Sequence, residues 1–480
     1  LASLSLPADI ARLLSERIDG LSPATRALLD AAAVLGTSFR LGEAEAMAQL
    51  TPPEAIAALD AALAAHVVEH DEGDTYRFTH DRVREALLAR LADAERRSLH
   101  QRAAETLAQA GVTETGIYRL ARHYAEGDPL RSPVPAYEAN LAAGIRALEH
   151  FAYNEAYDFL DTARRIARDA GLPPDERLDR ALGDVCSRTG RVDEATTHLE
   201  SALKLCTDAT GRAQLRARLA RIQIWELEIE RAAQEIEAAF AEIGETLEAR
   251  AGRMARAIGA WAGFVLDDRL GGAIPPPPGD PARLRVLVAL YHLAIEAAML
   301  EGRPQSTVLQ NLLLSLGAAR ALGPSRELIQ ANVDYGMLLA TMRRVEAMQS
   351  YFRKAIDLAH ARDDRPMLAY ALLYEAIAHH IAGRPREAET LATRCLEQHA
   401  DWLAPAEYLN GCGDLIWNLV LRGYIREARR WIEEAIVRTG GRVTAQGGAH
   451  RVQRYMDAYA LAVMEVLGEA ALAREYARRA

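Results

Sequence analysis

Lysine is almost absent from this sequence, and its scarcity limits the chemistry that the chain can perform. The 57 lysine and arginine residues include only two lysines, Lys204 and Lys354, and neither follows a glycine. A phosphate-binding loop of the form GxxxxGK followed by Ser or Thr therefore cannot exist here. The GxSxG, HExxH and HRD signatures are missing as well. We therefore predict a non-catalytic segment with no cofactor of its own.

Cysteines, aromatic residues and long apolar runs are also scarce. Cys186, Cys206, Cys395 and Cys412 form no CxxC pair and show no metal-ligand spacing, so we expect core residues, no disulfide framework and no metal site. Aromatic residues make up only 6% of the chain and alanine is abundant throughout it, which favours close-packed helices over sheets. Because the sequence lacks a signal peptide and any apolar run near 18 residues, we expect a cytoplasmic protein without a membrane span.

The first hundred residues combine helical signals with one short β-hairpin. Thr51 to Glu54 (TPPE) is a strong helix start. The runs His66 to His70 (HVVEH) and Thr75 to Thr79 (TYRFT) flank an acidic turn that contains glycine, which is typical of a β-hairpin. Helices followed by a two-stranded ribbon predict a small winged-helix domain over residues 1–95.

The charge of this domain argues against DNA binding. Leu41 to Thr75 contains eight acidic residues and no lysine or arginine, and the helix before the ribbon would face phosphates with Glu54 and Asp60. Contacts to phosphates normally supply much of the affinity for DNA. The whole chain has a net charge of −10, which also disfavours general binding to nucleic acid or to an anionic membrane.

Two stretches of this region carry a family resemblance. LPADIARLLSERIDGLSPATRALLDAAAVLGTSF (Leu6–Phe39) and YRFTHDRVREALLARLADAERRSLHQRAAETL (Tyr76–Leu107) resemble the region after the nucleotide-binding domain of STAND-class signalling ATPases. These are the large LuxR-type ATP-binding regulators and the ATPase modules linked to class III nucleotide cyclases or Ser/Thr kinases. In that family a P-loop domain precedes a winged helix, and helical repeats then sense a ligand or partner.

The resemblance implies that ATP or ADP binds a missing upstream domain, and it draws attention to His80. Several STAND proteins carry a winged-helix histidine that contacts the phosphate of bound ADP, and His80 occupies the matching place in the stretch FTHD. His80 is therefore our candidate for nucleotide sensing. The alternative is a structural histidine that caps the junction through Asp81 or Arg82. Since the sequence starts with leucine rather than methionine, we expect a portion of a longer protein.

Leu182 to Ala202 (LGDVCSRTGRVDEATTHLESA) predicts two antiparallel helices joined by a tight turn. Gly183 allows the two backbones to approach closely, and Gly190 ends the first helix where a left-handed residue is needed. Ala195 and Leu199 then lie on one face of the second helix. A single pair of this kind cannot bury its apolar faces, so it should recur.

The same spacing does recur, at intervals of about 40 residues. A copy starts with a small residue, which a larger apolar residue replaces in some copies. In most copies a glycine follows seven positions later, and small or apolar residues follow at positions twelve, sixteen and nineteen. The copies start at Gly144, Gly183, Ala220, Gly336, Ala376, Ile416 and Leu461, with a weaker one near Ile295. The pattern resembles the tetratricopeptide repeat (TPR), whose usual period is about 34 residues. We therefore predict a mainly α protein, with a TPR-like α-solenoid superhelix and a concave groove after the winged helix.

The run from Gly271 to Pro281 (GGAIPPPPGDP) interrupts the helical pattern, because its prolines remove amide donors and favour an extended path. We interpret it as a loop between two sub-arrays; the alternative is a ligand for a polyproline-binding domain. The predicted domains are thus the winged helix, 1–95, the first sub-array, 96–270, the loop, 271–281, and the second sub-array, 282–480.

In TPR arrays the groove is lined by the first helix of each pair, at positions six before, three before, one after and four after the small residue. In the late copies these positions select our candidates for contact with a partner: Tyr370, Ile377, His380, Asn410, Trp417 and Tyr455. Aromatic and amide side chains on a groove wall suit a peptide or a small ligand. The alternative is that they form the core between repeats, which applies above all to Trp417 and Tyr455.

These observations predict a regulatory, non-catalytic region of a signal-transduction ATPase. Its repeats would bind a protein, peptide or small effector, and its winged helix would couple them to the upstream nucleotide-binding domain. Two alternatives remain. The chain could regulate a class III adenylate or guanylate cyclase, or a Ser/Thr kinase, whose catalytic domain lies upstream, or it could be a plain TPR scaffold for protein assembly.

Overall fold

A computed structural model describes residues 18, 20–111, 116–246, 252–270, 279–439 and 463–479 of the chain. Within these ranges the protein is mainly α-helical, with 22 helices and one small sheet. The chain divides into two compact units, Leu1–Pro174 and Asp175–Ala480. None of the helices in the described ranges has the length and apolar character needed to cross a lipid bilayer.

The described part of the first unit contains eight helices and three strands. Its elements are α1 (Pro23–Leu35), β1 (Ser38–Arg40), α2 (Leu41–Ala48), α3 (Pro52–Ala64), β2 (Val68–His70), β3 (Thr75–Phe78), α4 (Asp81–Arg90), α5 (Asp93–Ala110), α6 (Gly116–Glu126), a 3-10 turn (Pro129–Arg131), α7 (Pro133–Glu149) and α8 (Tyr153–Ala170). Helix α1 starts where the sequence predicts, because the Ser22 hydroxyl accepts the Thr25 amide at 3.1 Å.

The sheet has the strand order β1-β3-β2, and both pairs are antiparallel. The predicted hairpin is therefore present as β2 and β3, and β1, which was not predicted, adds a third strand to it. Phe39 of β1 pairs with Tyr76, and Val68 of β2 pairs with Phe78. Phe39, Val68 and Phe78 are buried in one core with α1, α3 and α4, so the sheet is covered by helices on that side.

The described part of the second unit contains fourteen helices. They are α9 (Glu176–Arg188), α10 (Val192–Leu205), α11 (Ala209–Trp225), α12 (Ile229–Glu242), α13 (Arg253–Arg269), α14 (Pro281–Leu300), α15 (Gln305–Leu322), α16 (Arg326–Thr341), α17 (Val345–Ala361), α18 (Arg365–Ile381), α19 (Pro385–Gln398), α20 (Pro405–Leu421), α21 (Ile425–Thr439) and α22 (Ala470–Arg479), with a 3-10 turn at Ala400–Trp402.

Most of these helices form antiparallel hairpins that stack in sequence order, which is a TPR-like helical-repeat architecture. The hairpins are α9 with α10, α11 with α12, α14 with α15, α16 with α17, α18 with α19, and α20 with α21. Helix α13 departs from this rule, because it packs against α15 instead of forming a hairpin with its neighbour in sequence.

Some predicted features fall outside the described residues. Most of the Gly/Pro-rich loop, 271–278, is among them, although Asp280 caps α14 by accepting the amides of Ala282 and Arg283. The start of the last repeat at Leu461 is also outside the described ranges. The domain limits at 95, 270 and 281 remain predictions.

Candidate functional site

Five helices of the second unit lie side by side. They are α11, α14, α16, α18 and α20, each the first helix of a hairpin, and every one contacts the next. We call this set the first-helix row. In the sequence it corresponds to the predicted groove wall.

The centre of the row is an imidazole held between two carboxylates. His292 on α14 donates from Nδ1 to Oδ2 of Asp334 on α16, at 3.1 Å, and from Nε2 to Oε1 of Glu296 one turn further along α14, also at 3.1 Å. The side chain of His292 is 6% exposed, that of Asp334 11% and that of Glu296 27%. The row therefore buries an ion pair but leaves Glu296 partly open.

The two carboxylates determine the charge of the imidazole. Burial on its own would lower the pKa of His292, but Asp334 and Glu296 outweigh it and raise that pKa to about 10. Burial acts to raise the pKa of Glu296, yet the charge and hydrogen bond of His292 lower it. At neutral pH the row thus holds an imidazolium and an ionised Glu296.

Two tyrosines of α18 complete this group, which we call the His292 cluster: His292, Glu296, Asp334, Tyr370 and Tyr374. The rings of Tyr370 and Tyr374 lie 4.4 Å apart between centroids. Tyr370 is 7% exposed, and its hydroxyl has no hydrogen-bond partner among the described residues. Burial, together with the charges of Asp334 and Glu296, raises the pKa of Tyr370 well above its usual value, so the phenol stays neutral.

Charges from both ends of the row reach this cluster. The pKa of Tyr374 is raised by burial and then by Glu296, by Glu407 on α20 and by Asp334, whereas Arg221 on α11 lowers it. Arg221 also lowers the pKa of Glu296. Each of the five helices therefore contributes a side chain to this cluster or a charge that acts on it.

The structure distributes the predicted groove residues over three environments. Tyr370 belongs to the His292 cluster, and His380 donates from Nδ1 to Asp414 on α20 at 2.7 Å, a hydrogen bond that raises its pKa. Ile377 is partly buried against the apolar core. Asn410 is exposed, and Trp417 is 44% exposed.

The exposure of Trp417 contradicts the alternative that it is core between repeats. Tyr455 lies outside the described residues.

The sequence contained a signal for residues that our prediction omitted. The rule for groove-lining positions also applies to the weaker copy at Ile295. There it selects His292, three residues before Ile295, and Glu296, one residue after it. In the copy that starts at Ala220 it selects Arg221. The predicted groove residues come only from the late copies, so these three residues are not among them. Asp334 and Tyr374 each lie two positions before the small residue of their own copy, a position that the rule does not include.

His80 lies in a different setting, in the first unit. It precedes α4, is exposed, and makes no capping hydrogen bond with its side chain in the described part of the chain. The suggested cap through Asp81 or Arg82 is therefore not observed. His80 instead lines a cleft of about 390 Å³, together with His66, Glu69 and Thr79.

Among the described residues, no three histidine, cysteine, aspartate or glutamate side chains are grouped as ligands for a metal ion. The four cysteines are buried, and burial raises the pKa of Cys395 and of Cys412 to about 12. Thiols with such pKa values are poor nucleophiles at neutral pH. The first-helix row instead presents charged and hydrogen-bonding side chains, which are the kinds of group that line binding sites.

No protein-family model and no curated protein matches the sequence. Among solved structures, a signal-transduction ATPase with numerous domains (STAND) and a tetratricopeptide repeat sensor, from Pyrococcus horikoshii, has a TM-score of 0.44 and 12% identity, covering 99% of this chain. The chain spans only 65% of the length of that protein. A Rap protein complexed with competence and sporulation factor has a TM-score of 0.47 and 11% identity, covering 73% of this chain and 93% of its own. The Rap conjugation gene regulator of the plasmid pLS20, in complex with the Phr* peptide, has a TM-score of 0.46 and 12% identity. That match covers 73% of this chain and 92% of the regulator. The chain is similar to these proteins in its TPR-like helical-repeat architecture.

Proposed function

We propose that this chain is the regulatory region of a STAND-type signal-transduction ATPase. In this proposal the first-helix row binds a peptide or a small effector. The helix-and-sheet module of the first unit is a winged helix that contacts a nucleotide-binding domain upstream of the chain. Effector binding then changes the nucleotide state of that domain.

The observation that carries the proposal is the His292 cluster. Burying an ion pair costs several kcal/mol of desolvation per ion, and well-packed apolar residues of similar volume often stabilise a protein as well or better. A buried group of titratable side chains therefore supports a functional role. In this chain the group lies on the helices that form the groove wall of a TPR array, where a ligand would bind.

The position of His80 supports the coupling role of the first unit. An exposed imidazole beside a cleft can reach a phosphate of a nucleotide held by a neighbouring domain. His66 and Thr79 line the same cleft. We propose His80 as the residue that contacts ADP in the longer protein.

The coupling role is tested by measuring ADP retention in the longer protein that contains this chain. His80→Ala should release ADP faster, because the phosphate loses a hydrogen bond. His70→Ala is the matched control, since His70 is also an exposed histidine of the module and its Nε2 lies 2.9 Å from the Gly73 carbonyl oxygen. Equal ADP retention in both variants would remove the sensing role of His80.

The binding role is tested on the 480-residue chain with a mixed peptide library and calorimetric measurement of the hits. Peptides that bind the wild-type chain should bind Trp417→Ala and Tyr370→Phe more weakly. Binding that neither substitution affects would place the peptide elsewhere and favour a plain scaffold. An upstream cyclase or kinase domain would leave the binding role intact and change only the output that is measured.

A further inference from the structure

We propose that the ligand of the first-helix row presents a protonated amine or a guanidinium group, which binds between the Glu296 carboxylate and the Tyr370 hydroxyl. This inference rests on the proposed effector-binding function and specifies the chemistry of the effector. A basic peptide side chain and a small polyamine share this chemistry, and the experiment below distinguishes them.

Glu296 offers one half of the site. Its Oε1 accepts from His292 at 3.1 Å, whereas its Oε2 is buried and has no hydrogen-bond partner within the described ranges. An ionised carboxylate can only accept hydrogen bonds, so the open oxygen requires a donor. A buried acceptor without a hydrogen bond costs free energy, and the cost is larger when the acceptor is charged. A ligand that donates a hydrogen bond to this oxygen removes that cost and therefore binds more tightly.

Tyr370 offers the other half. Its side chain is more than nine-tenths buried, and its hydroxyl lacks a hydrogen-bond partner in the part of the chain that the structure describes. The charges of Asp334, Glu296 and Glu407 all act on this phenol, so the hydroxyl belongs to the same charged region. The neighbouring ring of Tyr374, 4.4 Å away between centroids, adds an aromatic face on which a cation is stabilised.

The charge of the region selects the sign of the ligand. The carboxylates of Glu296, Asp334 and Glu407 are opposed by the imidazolium of His292 and the guanidinium of Arg221. Among the described side chains that act on this cluster, three negative groups against two positive ones leave one negative charge without a counterpart. A cation compensates that charge, whereas an anion would add to it.

The surface next to Glu296 indicates that the ligand also has an apolar part. Met299 and Leu300 lie three and four residues after Glu296 on α14, and therefore on the same helix face. Met299 is 65% exposed and Leu300 51%. A cation bound at Glu296 would place the atoms beside it over these two side chains, which favours a peptide with apolar residues over a bare polyamine.

The test compares three probes on the 480-residue chain by isothermal titration calorimetry. The probes are acetyl-Leu-Arg-Leu-amide, the same peptide with citrulline in place of arginine, and spermidine. We expect the arginine peptide to bind at least about tenfold more tightly than the citrulline peptide, because citrulline keeps the shape and loses the charge. Tighter binding by the arginine peptide than by spermidine identifies a peptide ligand, and the reverse identifies a polyamine.

Variants assign the binding to the site. Glu296→Gln should abolish the preference for arginine over citrulline, and Tyr370→Phe should reduce it several-fold. Glu346→Gln is the matched control, because Glu346 is an exposed glutamate on α17, the second helix of its hairpin. If Glu296→Gln does not fold, as judged by circular dichroism, Tyr370→Phe decides alone, since it removes one hydroxyl.

Each outcome has a meaning. Equal binding of the arginine and citrulline peptides, or an arginine preference that survives in Glu296→Gln, overturns the cation site. In that case binding of any library peptide that depends on Trp417 still supports the proposed function. If no probe and no library peptide binds, both the cation site and the proposed effector binding are wrong.

Discussion

A Cβ atom placed on Gly183 would lie 2.7 Å from Cγ and from Cδ2 of Leu199, sixteen residues later on the other helix of the same hairpin. The same relationship joins Gly336 to Phe352, at 2.7 Å from Cε2. Real side chains essentially never approach so closely, so the large residue fills the space that the glycine leaves. In these two copies the glycine is thus required for close packing of the helix pair.

Gly183→Val should therefore destabilise the chain by about 1–3 kcal/mol, because Leu199 must leave its rotamer or the helices must separate. The measurement is a urea unfolding curve followed by circular dichroism. Gly259→Val is the matched control, since Gly259 is exposed within α13 and a Cβ there meets no described atom within 4 Å. The control should change stability by less than about 0.5 kcal/mol. Similar losses in both variants would show that the contact with Leu199 is unimportant.

The residue seven positions after the small residue is left-handed in every copy that the structure describes at that position. In five copies it is a glycine: Gly190, Gly302, Gly383, Gly423 and Gly468, with φ between 66° and 80°. In three it is not: Phe151, Leu227 and Arg343 have φ of 62°, 56° and 56°. The next amide then bonds back across the turn, as Arg344 does to the Leu339 carbonyl at 2.9 Å. The backbone of the turn is thus conserved among copies even where glycine is absent.

Arg343→Gly should stabilise the chain by about 1 kcal/mol. A residue with a Cβ pays about 1–2 kcal/mol for the left-handed conformation, and glycine avoids this cost while losing somewhat more backbone entropy. Arg343 is exposed, so little packing is lost. The reverse exchange at the matching place, Gly383→Arg, should destabilise by a similar amount. Thermal unfolding of the two variants checks both signs, and a shift in the same direction for both contradicts the argument.

The repeats could be predicted from the sequence because each hairpin depends on residues close to one another in the chain. The spacing from Gly183 to Leu199 is such a local signal. Strand β1 could not be predicted in this way, since Ser38 to Arg40 is too short to show a period and becomes a strand only by pairing with β3. The His292 cluster was predicted only in part. Tyr370 was among the groove candidates, but Glu296, Asp334 and Tyr370 come from three hairpins, and only the stacking of α14, α16 and α18 brings them together.

The imidazole of His292 should remain protonated well above neutral pH. Its pKa is about 10 in the folded chain, against about 6.5 in an unfolded one. A raised folded pKa contributes stability in full below about pH 6.5, and the contribution is lost progressively as the pH rises towards 10. Nitrogen NMR of histidine-labelled protein should therefore show one imidazole still protonated at pH 8.5. If every imidazole is neutral at that pH, the ion pair with Asp334 and Glu296 is not formed in solution.

The same ion pair predicts the behaviour of His292→Gln. At pH 6.5 the variant should be less stable than the wild type by about 3–5 kcal/mol, because it leaves the largely buried carboxylates of Asp334 and Glu296 without a cation. The difference should shrink between pH 6.5 and 10, as the wild type itself loses the proton. Urea unfolding at several pH values measures this difference directly. If the difference in unfolding free energy stays constant with pH, the destabilisation comes from the packing of the ring and not from its charge.

Two tryptophans on neighbouring helices distinguish the proposed binding surface from the core. Trp417 on α20 is 44% exposed, whereas Trp431 on α21 is 5% exposed and lies in the apolar core of the last hairpins. Trp431→Ala should cost about 3–5 kcal/mol, since it leaves a large cavity, and Trp417→Ala should cost less than about 1 kcal/mol. Urea unfolding followed by circular dichroism gives both values. Because Trp417 is on the first-helix row, its variant should keep its fold and lose affinity for the peptides that bind the wild type. If Trp417→Ala instead unfolds as readily as Trp431→Ala, the side chain is needed for stability and its assignment to the binding surface is wrong.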